Sequence, residues 1–240
     1  MKFSITRLNS TLVILTLIAV MAFVTACTTH MASELYLRDL DDLDEGELTN
    51  KIIFQLPLTT IDECSEYRAR YDKVFRKSRD FKDMEFVKCT DGDFNDYVEY
   101  EMDVPLRKID PTKSRVKGAV EFIRWDNPEQ DENRLILIRT NPPSLADLDD
   151  HLKDEFFQGL DLTDSSPLIR LSNDLRSDQS IEVRHAFVQN QPVISSTTFT
   201  LEPRDSIDIV LSDVTSAWVF HVSATARPRI APIGAWIKSD

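Results

Sequence analysis

Lys51-Ile52-Ile53-Phe54-Gln55-Leu56, with Thr60 and Glu63 shortly after it, decides how the chain is read. A short apolar run rich in β-branched and aromatic side chains reads as a buried strand. Thr60 followed three residues later by Glu63 is the pattern of a capping box, which predicts a helix running to about Ser78. Ile61, Cys64, Tyr67, Tyr71, Val74 and Phe75 recur at helical spacing, so Cys64 faces the core. Residues 84–89 then read as a strand, 90–93 as a turn, 97–104 as a strand and 116–125 as another. Strand, helix, strand, strand is the order of this first unit, residues 51–126.

The same order returns in residues 133–226. Arg134-Leu135-Ile136-Leu137-Ile138 follows the Lys51 strand by 83 positions. Ser144 and Asp147 repeat the capping pattern 84 positions on, Leu168–Asn173 follows Phe86–Asp91 by 82, and Ser180–Val183 follows Tyr97–Tyr100 by 83. Leu145, Leu148, Leu152 and Phe156 supply a helical face that Gly159 is placed to stop. Offsets this regular point to a duplicated unit. In this register Cys64 and Cys89 fall where the second copy has Leu148 and Leu171. The fold class expected is therefore α+β: two related β-α-β-β units, with additional antiparallel strands near 193–201, 206–211 and 216–224 in the second half. Residues 227–240 carry Pro228 and Pro232, which argue against a central strand and for an extended tail.

Outward to the N-terminus, residues 1–10 carry Lys2 and Arg7 and no acid, and residues 11–24 (TLVILTLIAVMAFV) carry no charge. A basic start, a short apolar stretch and small residues before a cysteine describe a secretory signal. Val24-Thr25-Ala26-Cys27 resembles the lipobox of bacterial lipoproteins, with Val24 where the consensus has Leu and Thr25 where it has Ala or Ser. The resemblance implies a signal peptide over 1–26 and a lipid-modified Cys27 as first mature residue. It also implies the periplasmic face of the bacterial envelope, and, since Thr28 rather than aspartate follows the cysteine, the outer membrane over the inner. Two or three acyl chains, at about 0.8 kcal/mol per buried methylene, would anchor effectively permanently.

Residues 27–50 are acidic (Asp39, Asp41, Asp42, Asp44, Glu45, Glu47) with leucines between; a spacer from the lipid, a short helix or a docking strand all fit, and the leading reading is a solvated tether with a partly docked end. An EF-hand is excluded there, because Gly46 at its sixth position puts Ile52 where the bidentate glutamate belongs. Without residues 1–26 the balance is 26 basic to 41 acidic side chains, a net charge of -15, which repels nucleic acid. With Cys27 acylated, Cys64 and Cys89 remain as an even pair in an oxidising compartment, and a disulfide between them is expected. Closing such a loop contributes roughly 3 kcal/mol in the chain-entropy account.

No constellation for catalysis or a cofactor stands out. The five glycines are too scattered for a phosphate loop, and no Gly-x-Ser-x-Gly occurs. His151, with Glu155 one turn on, reads as a solvated pair; His185 and His221 sit on strands, without zinc spacing. Asp91, Asp93 and Asn95 have the first three spacings of a calcium loop, but Asp96 replaces its glycine and Met102 its glutamate. The leading expectation is a non-enzymatic accessory lipoprotein that binds another envelope protein through a strand edge or a cleft. A periplasmic carrier of lipid or another small apolar ligand is the alternative, with Phe156, Phe157 and Trp218 as its lining. A cell-wall hydrolase using paired carboxylates is the third.

Overall fold

Apolar side chains alternate along nearly every strand, and the pairing of those strands explains why one set is buried. The computed structural model describes residues 29–43, 46–92, 95–126, 133–160, 162 and 167–237. Its elements are β1 (His30–Tyr36), α1 (Leu37–Asp42), β2 (Glu47–Leu58), α2 (Cys64–Lys77), β3 (Glu85–Thr90), β4 (Asp96–Lys108), β5 (Val120–Asp126) and β6 (Asn133–Thr140). These are followed by α3 (Pro142–Phe156), β7 (Leu168–Ser172), β8 (Gln179–Val188), β9 (Gln191–Leu201), β10 (Ser206–Leu211), α4 (Asp213–Val219) and β11 (Arg229–Ile237). Strands and helices share one core, as an α+β chain should.

Nine strands close on themselves in the order β10-β7-β1-β2-β4-β5-β6-β11-β8 and back to β10, forming a barrel. Seven of those nine joints are antiparallel, while β1–β7 and β4–β5 are parallel. An odd number of reversals cannot close a ring of straight strands. β8 supplies the bend: residues 180–182 pair with β11 and 186–188 with β10, and His185 between them has a φ of 51° at a bulge. β3 hangs from β4, and β9 from β8, outside the ring. The barrel is filled by side chains such as Ile52, Phe54, Tyr100, Phe122, Ile136 and Ile181, all 2% exposed or less.

Residues 51–126 and 133–226 each run strand, helix, strand, strand, and the strands of both lie in one sheet. Their pairing differs, however. β2, β4 and β3 are neighbours, whereas β6 and β8 flank β11 and β7 lies between β1 and β10. The helices meet, with Tyr71 of α2 stacked 4.4 Å from Phe156 of α3 and Arg70 held 4.2 Å over the same ring.

Three expectations need correction. Residues 27–50 are not a tether over their described part. β1 is one of the ring's strands, between β7 and β2, and α1 buries Leu37 and Leu40, so the leucines form the apolar face while Asp41 and Asp42 are exposed. Residues 216–224 do not form a strand; α4 occupies their start because the Ser212 hydroxyl accepts the Thr215 N–H and caps a helix. The described part of residues 227–240 does not form a tail, since β11 sits between β6 and β8. The proline argument fails there because Pro232 lies at a bulge, and β8 joins only from Ala235 onward.

Cap details differ too. A 3-10 turn (Ile61–Glu63) precedes α2, and neither the Thr60 nor the Glu63 side chain makes a capping bond. α3 starts at Pro142, two residues before Ser144, because proline without an N–H fits the first turn. Its stop is Phe157 in the left-handed region (φ 58°). Gly159 serves close approach: a Cβ there would stand 2.1 Å from Asp149 Oδ1, which accepts the Leu160 N–H at 2.7 Å.

The parallel β4–β5 pair requires a crossover, and residues 109–119 run it across the outside of the barrel. The segment opens on a turn in which Asp110 accepts from the Thr112 hydroxyl (2.6 Å), the Thr112 N–H (2.9 Å) and Lys113 Nζ (3.0 Å). The hydroxyl bond first, then Lys113 and the amide, hold the Asp110 carboxyl down at about 2, from an ordinary 3.8. A depressed carboxyl supports the fold above its unfolded value, and that support is lost as pH falls from near 4 toward 2. Thr112→Val is expected to move the Asp110 titration upward, read by carboxyl NMR chemical shifts against pH; an unmoved titration would refute the assignment.

Candidate functional site

Residues singled out in the sequence do not converge. Cys27 lies outside the described residues. Cys64 and Cys89 are joined, with Cα atoms 6.1 Å apart and 25 positions between them, tying the start of α2 to β3. His151 has Asp147 one turn back as its partner, 3.7 Å away, rather than Glu155. Glu155 belongs instead to Lys73 at 2.6 Å and Arg70, and those cations lower its carboxyl, Lys73 first. His221 is exposed, and His185 sits at the β8 bulge. Among the described residues no three His, Cys, Asp or Glu side chains gather as a metal site.

Asp93 of the calcium-like run lies outside the described residues. Beside it Gly92 is needed for the turn, because a Cβ would stand 2.3 Å from the Asn95 carbonyl oxygen. Asn173, in the matching connection, is fully buried and structural, donating to the Leu201 and Ser177 carbonyls. The buried acids are engaged as well. Glu99 accepts from Gln55 and Thr90, Asp149 holds Lys153 and the Leu160 N–H, and Glu121 holds two arginines. Burial first, and then its bond to Asp72, pushes the Tyr100 phenol up, so it is a donor locked into the core. Three further carboxylates, Glu34, Asp39 and Glu101, share one groove across β1 and β2: Glu34 accepts from the Ser172 hydroxyl at 2.6 Å, Glu101 pairs with Lys51, and burial first, then Asp174, raises the Asp39 carboxyl.

The aromatics proposed to line a ligand site separate. Phe156 belongs to the α2–α3 cluster, Phe157 is 92% exposed, and only Trp218 borders a groove. That groove, about 630 Å³, lies among the β8–β9 hairpin, α4 and the start of β11. Phe187, Ile194, Val214 and Trp218 all line it, and they are four of the most exposed large apolar side chains of the protein. A patch of this kind marks an interaction surface. A second groove of about 550 Å³ crosses the outer faces of β1 and β2. Charged side chains stand among its apolar ones, with Lys51 bound to Glu101 at 2.5 Å within it.

The strand expected near 193–201 is β9 (Gln191–Leu201). It pairs with β8 on one side and with no other strand among the described residues. Residues 194–198 are exposed on both faces. From His185 to Leu201, seventeen residues carry no Asp, Glu, Lys or Arg, in a chain that is 29% charged. Natural sheets blunt such edges with charge. The other free edge, β3, does so with Glu85 and Lys88 and is also stapled by Cys89. The uncharged run is visible in the sequence, and it was the signal available there for this surface.

A family model described as a domain of unknown function, DUF7424, matches residues 29–226, and the chain belongs to that family. No curated protein and no solved structure matches it.

Proposed function

We propose that this DUF7424 protein is a lipid-anchored lipoprotein of the bacterial envelope, a non-enzymatic accessory that binds another envelope protein by strand addition at β9. The observation that carries the reading is the long, uncharged, uncovered edge of β9. An added strand gains main-chain hydrogen bonds along such an edge, and side chains alternating above it give specificity. The lipobox-like Val24–Cys27 supports the anchor at Cys27, with the outer membrane favoured by Thr28. Absence of a catalytic role is part of this proposal, resting on how fully the buried acids are bound. The shared element order of residues 51–126 and 133–226 supports descent of both from one β-α-β-β unit.

Ser195 and Thr197 are exposed, so lysine at both leaves the core untouched while placing charge on the edge. With a photo-crosslinking residue at position 199 of the full chain in intact envelopes, one discrete protein adduct is expected. Ser195→Lys with Thr197→Lys should abolish it at unchanged thermal stability. An adduct of equal yield in the lysine variant would overturn the reading. The carrier alternative has one observation of its own, the apolar groove beside Trp218. It predicts one lipid or apolar molecule bound per chain in native mass spectra, where strand addition predicts a protein.

A further inference from the structure

The groove beside Trp218 lies at a particular end of the barrel. Ala32 of β1 pairs with Leu168 of β7, Leu168 with Val210 of β10, and β10 runs through Ser212 directly into α4. Strand neighbours are about 4.8 Å apart, so the start of α4 is about 10 Å across the sheet from the start of β1. β1 begins at His30, only three positions after Cys27, a span of about 10 Å even when fully extended. A lipid on Cys27 would therefore have no long tether. It would hold this end of the barrel, groove included, against the membrane.

The chemistry of the groove suits that position. Ile194 and Val214 are 82% and 81% exposed, and Trp218 is 52% exposed beside them. The Trp218 indole N–H donates to the Ile230 carbonyl at 3.2 Å, and the Arg229 guanidinium lies 3.9 Å over the ring. Arg184 also lines the groove, with its guanidinium paired to Glu182 at 2.5 Å. No carboxylate lines this groove, whereas Glu34, Asp39 and Glu101 line the other one. An apolar groove with Trp218 and the Arg229 guanidinium at its rim, on a chain of net charge -13, is complementary to an anionic lipid interface.

We propose that the groove formed by the β8–β9 hairpin, α4 and the start of β11 is a membrane-contacting face. It seats the barrel on the bilayer beside the Cys27 anchor, with Ile194, Val214 and Trp218 in the interface. The proposal rests on the anchored reading above and adds an orientation to it: residues 195–201 of β9 remain free for a partner strand.

The test uses the full chain purified from its own membranes and reconstituted into phosphatidylethanolamine–phosphatidylglycerol vesicles with brominated acyl chains, which quench nearby tryptophan. Quenching of tryptophan emission is expected, lost in Trp218→Phe and lost in Ile194→Asp with Val214→Asp. Those two aliphatic side chains are exposed, so the aspartate variant keeps its unfolding temperature. Intact mass is measured on the same samples. Acylated protein without Trp218 quenching, or with quenching that survives in the aspartate variant, overturns the contact face and leaves the anchor standing. An unacylated mass overturns both. A Cys27→Ser chain that carries a lipid away in solution without binding vesicles overturns the face in favour of a carrier.

Discussion

A chain lacking residues 29–43 is expected to have no cooperative unfolding transition, although those residues are acidic and look dispensable. β1 lies between β2 and β7, pairing through residues 30–33 with one and 32–36 with the other, so its loss opens the ring. Met31, Leu35, Leu37, Leu40 and Leu43 are each at most 2% exposed. Burying such a side chain contributes about 1.5–3 kcal/mol, and five together rival the roughly 5–15 kcal/mol by which a whole domain is stable. Arg124, 2% exposed, would also lose the Leu40 carbonyl at 2.7 Å and the Asp41 carbonyl at 3.1 Å that it donates to. Far-ultraviolet circular dichroism against temperature decides the matter. A transition within a few degrees of the intact chain would restore residues 27–50 as a tether. Leu40→Ala, a milder test, should cost about 2–5 kcal/mol.

What was legible in the sequence follows the range of the forces involved. Residues 51–56, 97–104 and 206–211 read as strands because alternation and turn residues are local signals, and the structure has strands there. Residues 37–43 resemble a tether in acid content, while the helical spacing of Leu37, Leu40 and Leu43 is what buries them. Residues 216–224 misled because Trp218, Phe220 and Val222 alternate like a strand, while the cap that starts a helix lies upstream at Ser212. At Pro232 a rule about central strands met the bulge that exempts it. Ring closure left no local trace. Ala32 meets Leu168 and Ile209 meets Val188 because of where other strands run. The binding surfaces were half legible. The uncharged run from His185 to Leu201 stands in the sequence, but whether its edge is covered depends on the whole sheet.

Glu121→Leu is expected to cost about 3–5 kcal/mol, more than most core truncations of similar size, because of what it leaves behind. Glu121 is fully buried and Arg139 is 1% exposed; they bond through Arg139 Nε at 2.6 Å. Arg107 donates to the second carboxylate oxygen at 2.9 Å. The remaining Arg139 nitrogens donate to the Pro111 carbonyl at 2.9 Å and the Arg115 carbonyl at 3.0 Å, so the guanidinium also pins the crossover of residues 109–119. Removing the carboxylate strands a cation under that segment. Removing both charges, as Glu121→Leu with Arg139→Met, leaves Arg107 with Glu47 at 3.6 Å and the Arg115 carbonyl at 3.2 Å, and should be the less destabilised variant. Urea unfolding of the two single variants and the double variant measures this as a coupling energy. If the double variant costs the sum of the singles, the pair is not acting as a unit. If it recovers most of the loss while hydrogen exchange across 109–119 speeds up, the ion pair contributes order to the crossover rather than net stability to the barrel. That second outcome is the one the geometry favours, since the arginine spends its remaining donors on backbone carbonyls of that single segment.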